Sequence, residues 1–395
     1  MSIRFQILLG VYLALTGAFN TSCKQTQSKP AEIPVIKPAD TPVTEVIFVF
    51  AGDIMQHGPQ IRAALTDSAG GVYDYAPCFA NVADIAKSAD FTIANLELTL
   101  AGEPYTGYPQ FSAPDALATD LKKAGFRYLV TANNHSCDRL KKGVERTVHV
   151  LDSFGIPRTG TFKNAEDRAK NNIMWLEKDG LKVALLNYTY GTNGIKVPEP
   201  TIVNLLDSAV IKTDLQEVKK YNPDKIIVFT HWGAEYQHQP NAEQKAYARY
   251  IFSQGADYII GSHPHVLQPM EMMYDSVSKT DKLVVWSLGN FVSNQRDRYK
   301  DGGAMFKLVL QKKEKSTTVK EAGYILTWVD IAVKNGDKDY IIYPVSQYEN
   351  DSVLLDKQSL EKMRLFRDDS RKLLGENNKR IGEYVWKDGK WQLAN

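Results

Sequence analysis

Ile226-Ile227-Val228-Phe229-Thr230-His231-Trp232-Gly233-Ala234-Glu235 and Tyr258-Ile259-Ile260-Gly261-Ser262-His263-Pro264-His265 decide how this chain is read. In each stretch an apolar, largely β-branched run gives way to histidine. Such runs mark strands buried on both faces, so the histidines stand where strands end. In open α/β sheets, ligands bind outside the carboxyl ends of the strands. The same device recurs upstream. Val46-Ile47-Phe48-Val49-Phe50 leads into Gly52-Asp53, Phe91-Thr92-Ile93-Ala94 into Asn95-Leu96-Glu97, and Tyr128-Leu129-Val130 into Asn133-Asn134-His135. A single polar residue at a strand end is ordinary. Five runs ending in Asp, Glu, Asn/His, His and His-x-His make a ligand set, and it takes four of the seven histidines. Imidazole, carboxylate and amide oxygen together suit Zn, Mn or Fe better than Ca or Mg. No cysteine falls among these candidates, which argues against a thiolate zinc site.

Helical patterns lie between the strands. Residues 115–125, 140–155 and 241–255 each end in a glycine suited to a left-handed cap, and Phe79, Val82, Ala83, Ile85 and Ala86 form a helical stripe. Residues 183–188 read as a further strand. The alternation predicts βαβ units and a mixed, largely parallel sheet. Beyond residue 305 the character changes. Residues 305–311 and 323–333 read as antiparallel strands, Asn335-Gly336 as a hairpin turn, residues 360–374 as a helix and residues 386–391 as a terminal hairpin. This C-terminal part is expected to complete the second sheet. Three polar segments, residues 102–113, 190–204 and 293–303, follow strand ends or site motifs and are placed to wall a cleft.

The motifs Gly52-Asp53-Ile54-Met55, Asn95-Leu96-Glu97, Ala132-Asn133-Asn134-His135-Ser136, His231-Trp232-Gly233-x-Glu235-Tyr236, Gly261-Ser262-His263-Pro264-His265-Val266 and Ser287-Leu288-Gly289-Asn290-Phe291 occur in this order. Together they resemble the bacterial capsule-synthesis CapA family, which is linked to poly-γ-glutamate capsule. That family belongs to the calcineurin-like metallophosphoesterase superfamily. The resemblance implies an α/β protein: a four-layer α/β/β/α metallophosphoesterase-like sandwich over residues 46–310, with C-terminal strands and a helix over 311–395. Carried over motif by motif, it implies metal ligands at Asp53, Glu97, Asn134, His231, His263 and His265, and a catalytic role for His135 on the leaving group. Glu97 stands where the superfamily has a bridging Asp. The implied cofactor is a divalent transition metal (Mn, Zn or Fe), one or two ions.

The superfamily's first motif is Asp-x-His, but Met55 stands in the histidine's place, and His57 is the nearest replacement. Glu235, four residues beyond His231, is a candidate to orient its imidazole. Asn290 at a strand end is expected to face the cleft, His238 to lie at its rim, and Arg296 and Arg298 to clamp a phosphate or polycarboxylate. The implied function is an exported capsule or poly-γ-glutamate biosynthesis protein with a phosphoesterase-type site. The alternative is a non-catalytic accessory protein that binds an anionic envelope polymer beside the capsule synthesis or export machinery.

Net charge of +2 gives no footprint for nucleic acid, and 43% apolar residues is ordinary for a globular chain. Residues 1–22 read as a signal peptide, with Arg4 before an apolar stretch too short to span a bilayer. The stretch stops at Thr21-Ser22-Cys23, which marks Cys23 for lipidation, although Asn20 holds the place of the usual aliphatic residue. Residues 23–45 read as a tether, with Pro30, Pro34, Pro38 and Pro42 favouring extended chain. The protein is therefore expected in the bacterial envelope, lipid-anchored, on the periplasmic or the surface side. Cys78 and Cys137 read as packing residues and His149 as exposed. Replacing Cys23 with Ser should move the protein from the membrane fraction to the soluble envelope fraction. Identical fractionation of the two forms would remove the anchor.

Overall fold

The computed structural model of the chain describes residues 43–334 and 337–394. The signal peptide, most of the tether with Cys23, and the Asn335-Gly336 turn lie outside these residues. The strand Val43–Ile54 is the hub. It pairs in parallel with Phe91–Leu96 and, at its end, with Asn290–Val292, and antiparallel with Gly302–Lys313. Its side chains alternate: Val46, Phe48 and Phe50 face one core, Val49 and Ala51 another. This period of two explains a run that is apolar throughout, because both faces are covered.

Two sheets result. The larger runs Lys390–Leu393, Gly382–Lys387, Ser316–Lys334, Gly302–Lys313, Val43–Ile54, Phe91–Leu96, Tyr128–Val130, Arg158–Thr159, with Asp337–Pro344 also on Ser316–Lys334. The smaller runs Met270–Asp275, Thr280–Val285, Tyr258–Ser262, Lys225–His231, Leu181–Thr189, Met174–Lys178. Phe48, Phe50 and Ile93 of the first meet Leu185, Ile227, Phe229 and Ile260 of the second in one core. Helices Ala83–Ser88 and Ala116–Ala124 cover Val49, Ala51 and Ala94 on the outside of the larger sheet. Helices Ser208–Lys219 and Ala242–Ser253 cover Ile226, Val228 and Ile259 on the outside of the smaller. The order of layers is α/β/β/α.

The C-terminal strands depart from expectation. They extend the first sheet and not the second, because Gly302–Lys313 pairs with Val43–Ile54 along its length, from Val43 opposite Lys313 to Ala51 opposite Met305. A boundary at residue 310 would cut that strand. The stripe around Phe79 is also not one helix. It breaks into Ala76–Phe79, a 3₁₀ turn at Ala80–Val82, and Ala83–Ser88. Cys78 and Cys137 are buried and free. Among the described residues, no helix is long and apolar enough to cross a membrane.

Gly261 shows how tightly the second sheet is closed at the site edge. A Cβ there would stand 2.1 Å from the Trp286 carbonyl oxygen and 2.7 Å from Trp232 Nε1. Gly261→Ala should cost about 1–3 kcal/mol, the usual worth of overpacking. Gly191→Ala, where a Cβ meets nothing within 4 Å, should stay within about 0.5 kcal/mol of the parent. Urea midpoints for the two variants check this, and equal midpoints would contradict it.

Candidate metal centre

Register brings the polar strand ends together. Asp53 lies opposite Asn95 and Asn290 in the larger sheet, and His231 opposite Ser262 and Thr189 in the smaller. The chain after Ser262 crosses between the sheets: the His263 amide donates to Asp53 Oδ2 at 3.3 Å, and His265 Nδ1 lies 3.2 Å from the same oxygen. Asn187 ties the sheets from the other side. Its Oδ1 accepts from the Ala132 amide at 2.6 Å and the Thr131 amide at 3.1 Å, which fixes the turn carrying Asn134 and His135. His263 and His265 have positive φ angles of 100° and 57°. Left-handed backbone costs a non-glycine residue roughly 1–2 kcal/mol, a strain that active sites tend to hold.

Two donor groups form, Asp53 with Glu97 and His231, and Glu97 with His263 and His265; within each, the ligand atoms lie within 4.8 Å of one another. Glu97 belongs to both. Both its carboxylate oxygens are buried without a hydrogen bond, as is His263 Nδ1. Burial, reinforced by the Asp53 carboxylate, pushes the Glu97 pKa well up. Burial, with His265 beside it, pushes His263 down to about 3, and burial with His263 beside it lowers His231. Burial would raise Asp53, but hydrogen bonding and charge from His265 hold it below the usual carboxylate range. An unpartnered nitrogen on His263 beside an undonated carboxylate fits a divalent cation, since a buried charge without a partner is otherwise costly.

The outer contacts set the ring orientations. His231 Nε2 lies 2.8 Å from Asn134 Oδ1 and 3.5 Å from Glu97 Oε1, so the amide oxygen joins the first donor group. His231 Nδ1 is held by Ser262 Oγ at 3.0 Å and Asn95 Nδ2 at 3.2 Å. His265 Nδ1 is held by Asn290 Oδ1 at 3.0 Å, which leaves Nε2 toward Glu97 at 3.7 Å. Such contacts fix the tautomer of a ligating imidazole.

His135 belongs to neither donor group. Its Nδ1 lies 2.8 Å from Asp138 Oδ2, which also accepts the Phe111 amide at 2.6 Å, and its ring meets Phe111 edge-on at 4.6 Å. Asp138, Asn95 and Ser262 were not singled out as site residues in the sequence. The signal for Asp138 was present, three residues after His135 in one turn.

Other expected site residues go elsewhere. Glu235 is exposed at the rim and does not orient His231, because Ser262 and Asn95 take the imidazole. Arg296 lies over Trp328 and donates to the Val329 carbonyl, and Arg298 makes a two-pronged pair with Asp369, both bonds 2.7 Å, so neither is a free anion clamp. His57 does not replace the missing ligand at Met55. It sits before helix Gly58–Ala64, its Nδ1 3.3 Å from the Asn294 amide, and burial pushes it down to about 4. His238 lines a cavity of about 300 Å³ with Arg298, Tyr299 and Phe366, and none of the metal-ligand candidates lines it.

Residues 47–295 match the profile described as bacterial capsule synthesis protein PGA_cap. The chain belongs to this capsule synthesis family. It is 31% identical over 228 residues to the capsule biosynthesis protein CapA of Bacillus anthracis, covering 55% of this chain and 54% of that one. It is 30% identical over 273 residues to the PGA biosynthesis protein CapA of Bacillus subtilis (strain 168), covering 67% of each. The chain thus spans about half to two thirds of these relatives' lengths. Among solved structures it is similar to the NAD nucleotidase of Haemophilus influenzae, with a TM-score of 0.46 and 13% identity over 88% of this chain and 65% of that one. The fold of this family member is an α/β/β/α sandwich.

Because Glu97 serves both donor groups, Glu97→Gln should strip more bound Mn or Zn from the dialysed protein than His265→Ala does. Elemental analysis checks this, and unchanged metal content in Glu97→Gln would remove its shared role.

Proposed function

We propose that this chain is an exported, lipid-anchored protein of capsule or poly-γ-glutamate biosynthesis whose site hydrolyses a phosphoester with the help of divalent metal. The supporting observation is Glu97, buried, undonated and common to both donor groups, beside the His135–Asp138 pair. Asp53, Glu97, Asn134 and His231 would hold one ion, and Glu97, His263 and His265 a second. When bound, such ions supply Lewis acidity toward a phosphoryl oxygen and acidify water.

The chain's own residues do the rest. Asp138 accepts from His135 Nδ1 and fixes the ring. His135 Nε2 makes no hydrogen bond among the described residues, and it delivers a proton to the leaving oxygen. Phe111 against the ring keeps water off its face. The envelope location follows from the capsule biosynthesis relatives and from Cys23, which would supply the membrane contact. The accessory, polymer-binding reading keeps one observation, Met55 in a ligand's place; it loses the arginines meant to hold the polymer.

His135→Ala should retain metal and lose roughly 10²–10⁴-fold in rate, the usual worth of general acid–base catalysis. His231→Ala should lose metal and rate together. A screen of phosphomonoesters, phosphodiesters and poly-γ-glutamate with added Mn or Zn checks both. If none turns over while metal is bound and the fold is intact, the accessory reading replaces this one.

A further inference from the structure

The mouth of the metal centre is aromatic. Tyr190 lies 4.5 Å from His263, ring centre to ring centre, His263 lies 5.8 Å from His265, and His265 lies 6.1 Å from Tyr236. The four rings form one run, with a tyrosine at each end. Both tyrosines are large and half-exposed, at 45% and 43%. Their places are enforced by the backbone. The Tyr190 amide donates to the His231 carbonyl at 2.9 Å, and the Tyr236 amide to the Pro264 carbonyl at 2.8 Å. Tyr236 is held at φ 65°, a conformation that costs a bulky residue energy. Lys300 Nζ lies 4.4 Å over the Tyr236 ring, and Gln295 Nε2 lies 3.4 Å from its hydroxyl.

The polar groups around this run decide what it takes. Lys300 is paired with Asp297, and Arg298 with Asp369. Glu235 stands exposed next to Tyr236. A carboxylate at the rim repels a polycarboxylate, and with the two cations already paired the rim has little to offset that repulsion. The exposed side chains of Glu235 and of Asn193, which lies 3.2 Å from Asn134 Nδ2, suit neighbouring hydroxyls. Aromatic faces suit the apolar C–H face of a sugar ring, whose hydroxyls project from its edge. The two tyrosine rings are tilted, at 41° and 36° to their neighbouring imidazoles. Neither tyrosine therefore continues a parallel stack with its imidazole.

We propose that Tyr190 and Tyr236 form a sugar-binding subsite beside the metal centre, so that the substrate is a sugar phosphoester and not a polycarboxylate. This rests on the hydrolytic reading above, and the test separates the two. The metal-loaded full chain is given hexose 1-phosphate, ethyl phosphate and adenosine 5′-phosphate. The kcat/KM ratio of hexose 1-phosphate over ethyl phosphate should be about tenfold, the scale of one aromatic contact. In Tyr190→Ala and Tyr236→Ala that ratio should fall toward one, chiefly through KM, and the Phe variants should restore most of it. A ratio that survives both Ala variants overturns the proposal. A larger tyrosine-dependent gain for adenosine 5′-phosphate overturns it in favour of a base subsite. Saturation-transfer NMR with methyl glucoside reads the subsite without turnover. Transfer lost in the Ala variants sustains the subsite even if no phosphoester is hydrolysed, in which case only the hydrolytic reading fails. No transfer to the parent, with its metal content and fold intact, sinks the subsite.

Discussion

A carboxylate that no hydrogen bond reaches is the constraint around which this molecule is arranged. Glu97 sits at the end of the Phe91–Leu96 strand with both oxygens sealed from water. An undonated buried charge is among the costliest features a fold can carry. Three imidazoles and Asp53 surround it, burial and Asp53 push its pKa well up, and burial strips His231 and His263 of their protons. The arrangement makes sense as a cradle for positive charge. It explains why His263 and His265 tolerate left-handed backbone, why Asn290 and Ser262 are spent on holding rings, and why the two sheets must end at one level.

That last requirement falls on the Val43–Ile54 strand. It is paired on both sides from Phe48 onward, and its terminal residues pair with Asn290–Val292. Its Phe48 and Phe50 pack against Phe229 and Ile260 of the facing sheet. Core packing therefore sets the separation of Asp53 from His231, and the position of the ligands is a property of the sandwich rather than of the loops that follow.

Much of this was legible in the sequence for a physical reason. Strands buried on both faces are apolar throughout, so Asp53, Glu97, His231 and His263 stood out as abrupt polar ends. What remained hidden depended on contacts between distant residues. Alternation marks a strand but not its partner, so Gly302–Lys313 went to the wrong sheet. The pairing of Arg298 spans 71 positions to Asp369 and has no local trace, so a locked guanidinium looked like a free one. Glu235 follows His231 by a spacing that would face it on a helix, but the chain there is not helical, and Ser262 and Asn95 take the imidazole. Asp138 stands three residues after His135, and only the fold of that turn shows that its carboxylate holds the ring.

The same distant pair has a wider consequence. Residues 293–303 touch the centre twice, since Asn290, which orients His265, donates to Gln295 Oε1 and to the Lys300 carbonyl. Arg298 fastens that segment to helix Lys357–Asn377, which lies wholly beyond the matched residues 47–295. Ligand identity and ligand precision are thus written in different parts of the chain. The matched region supplies the donor atoms, and the C-terminal helix braces the segment that aims one of them. Divergence in that helix would therefore shift the aim of the His265 ring while every donor residue stays in place.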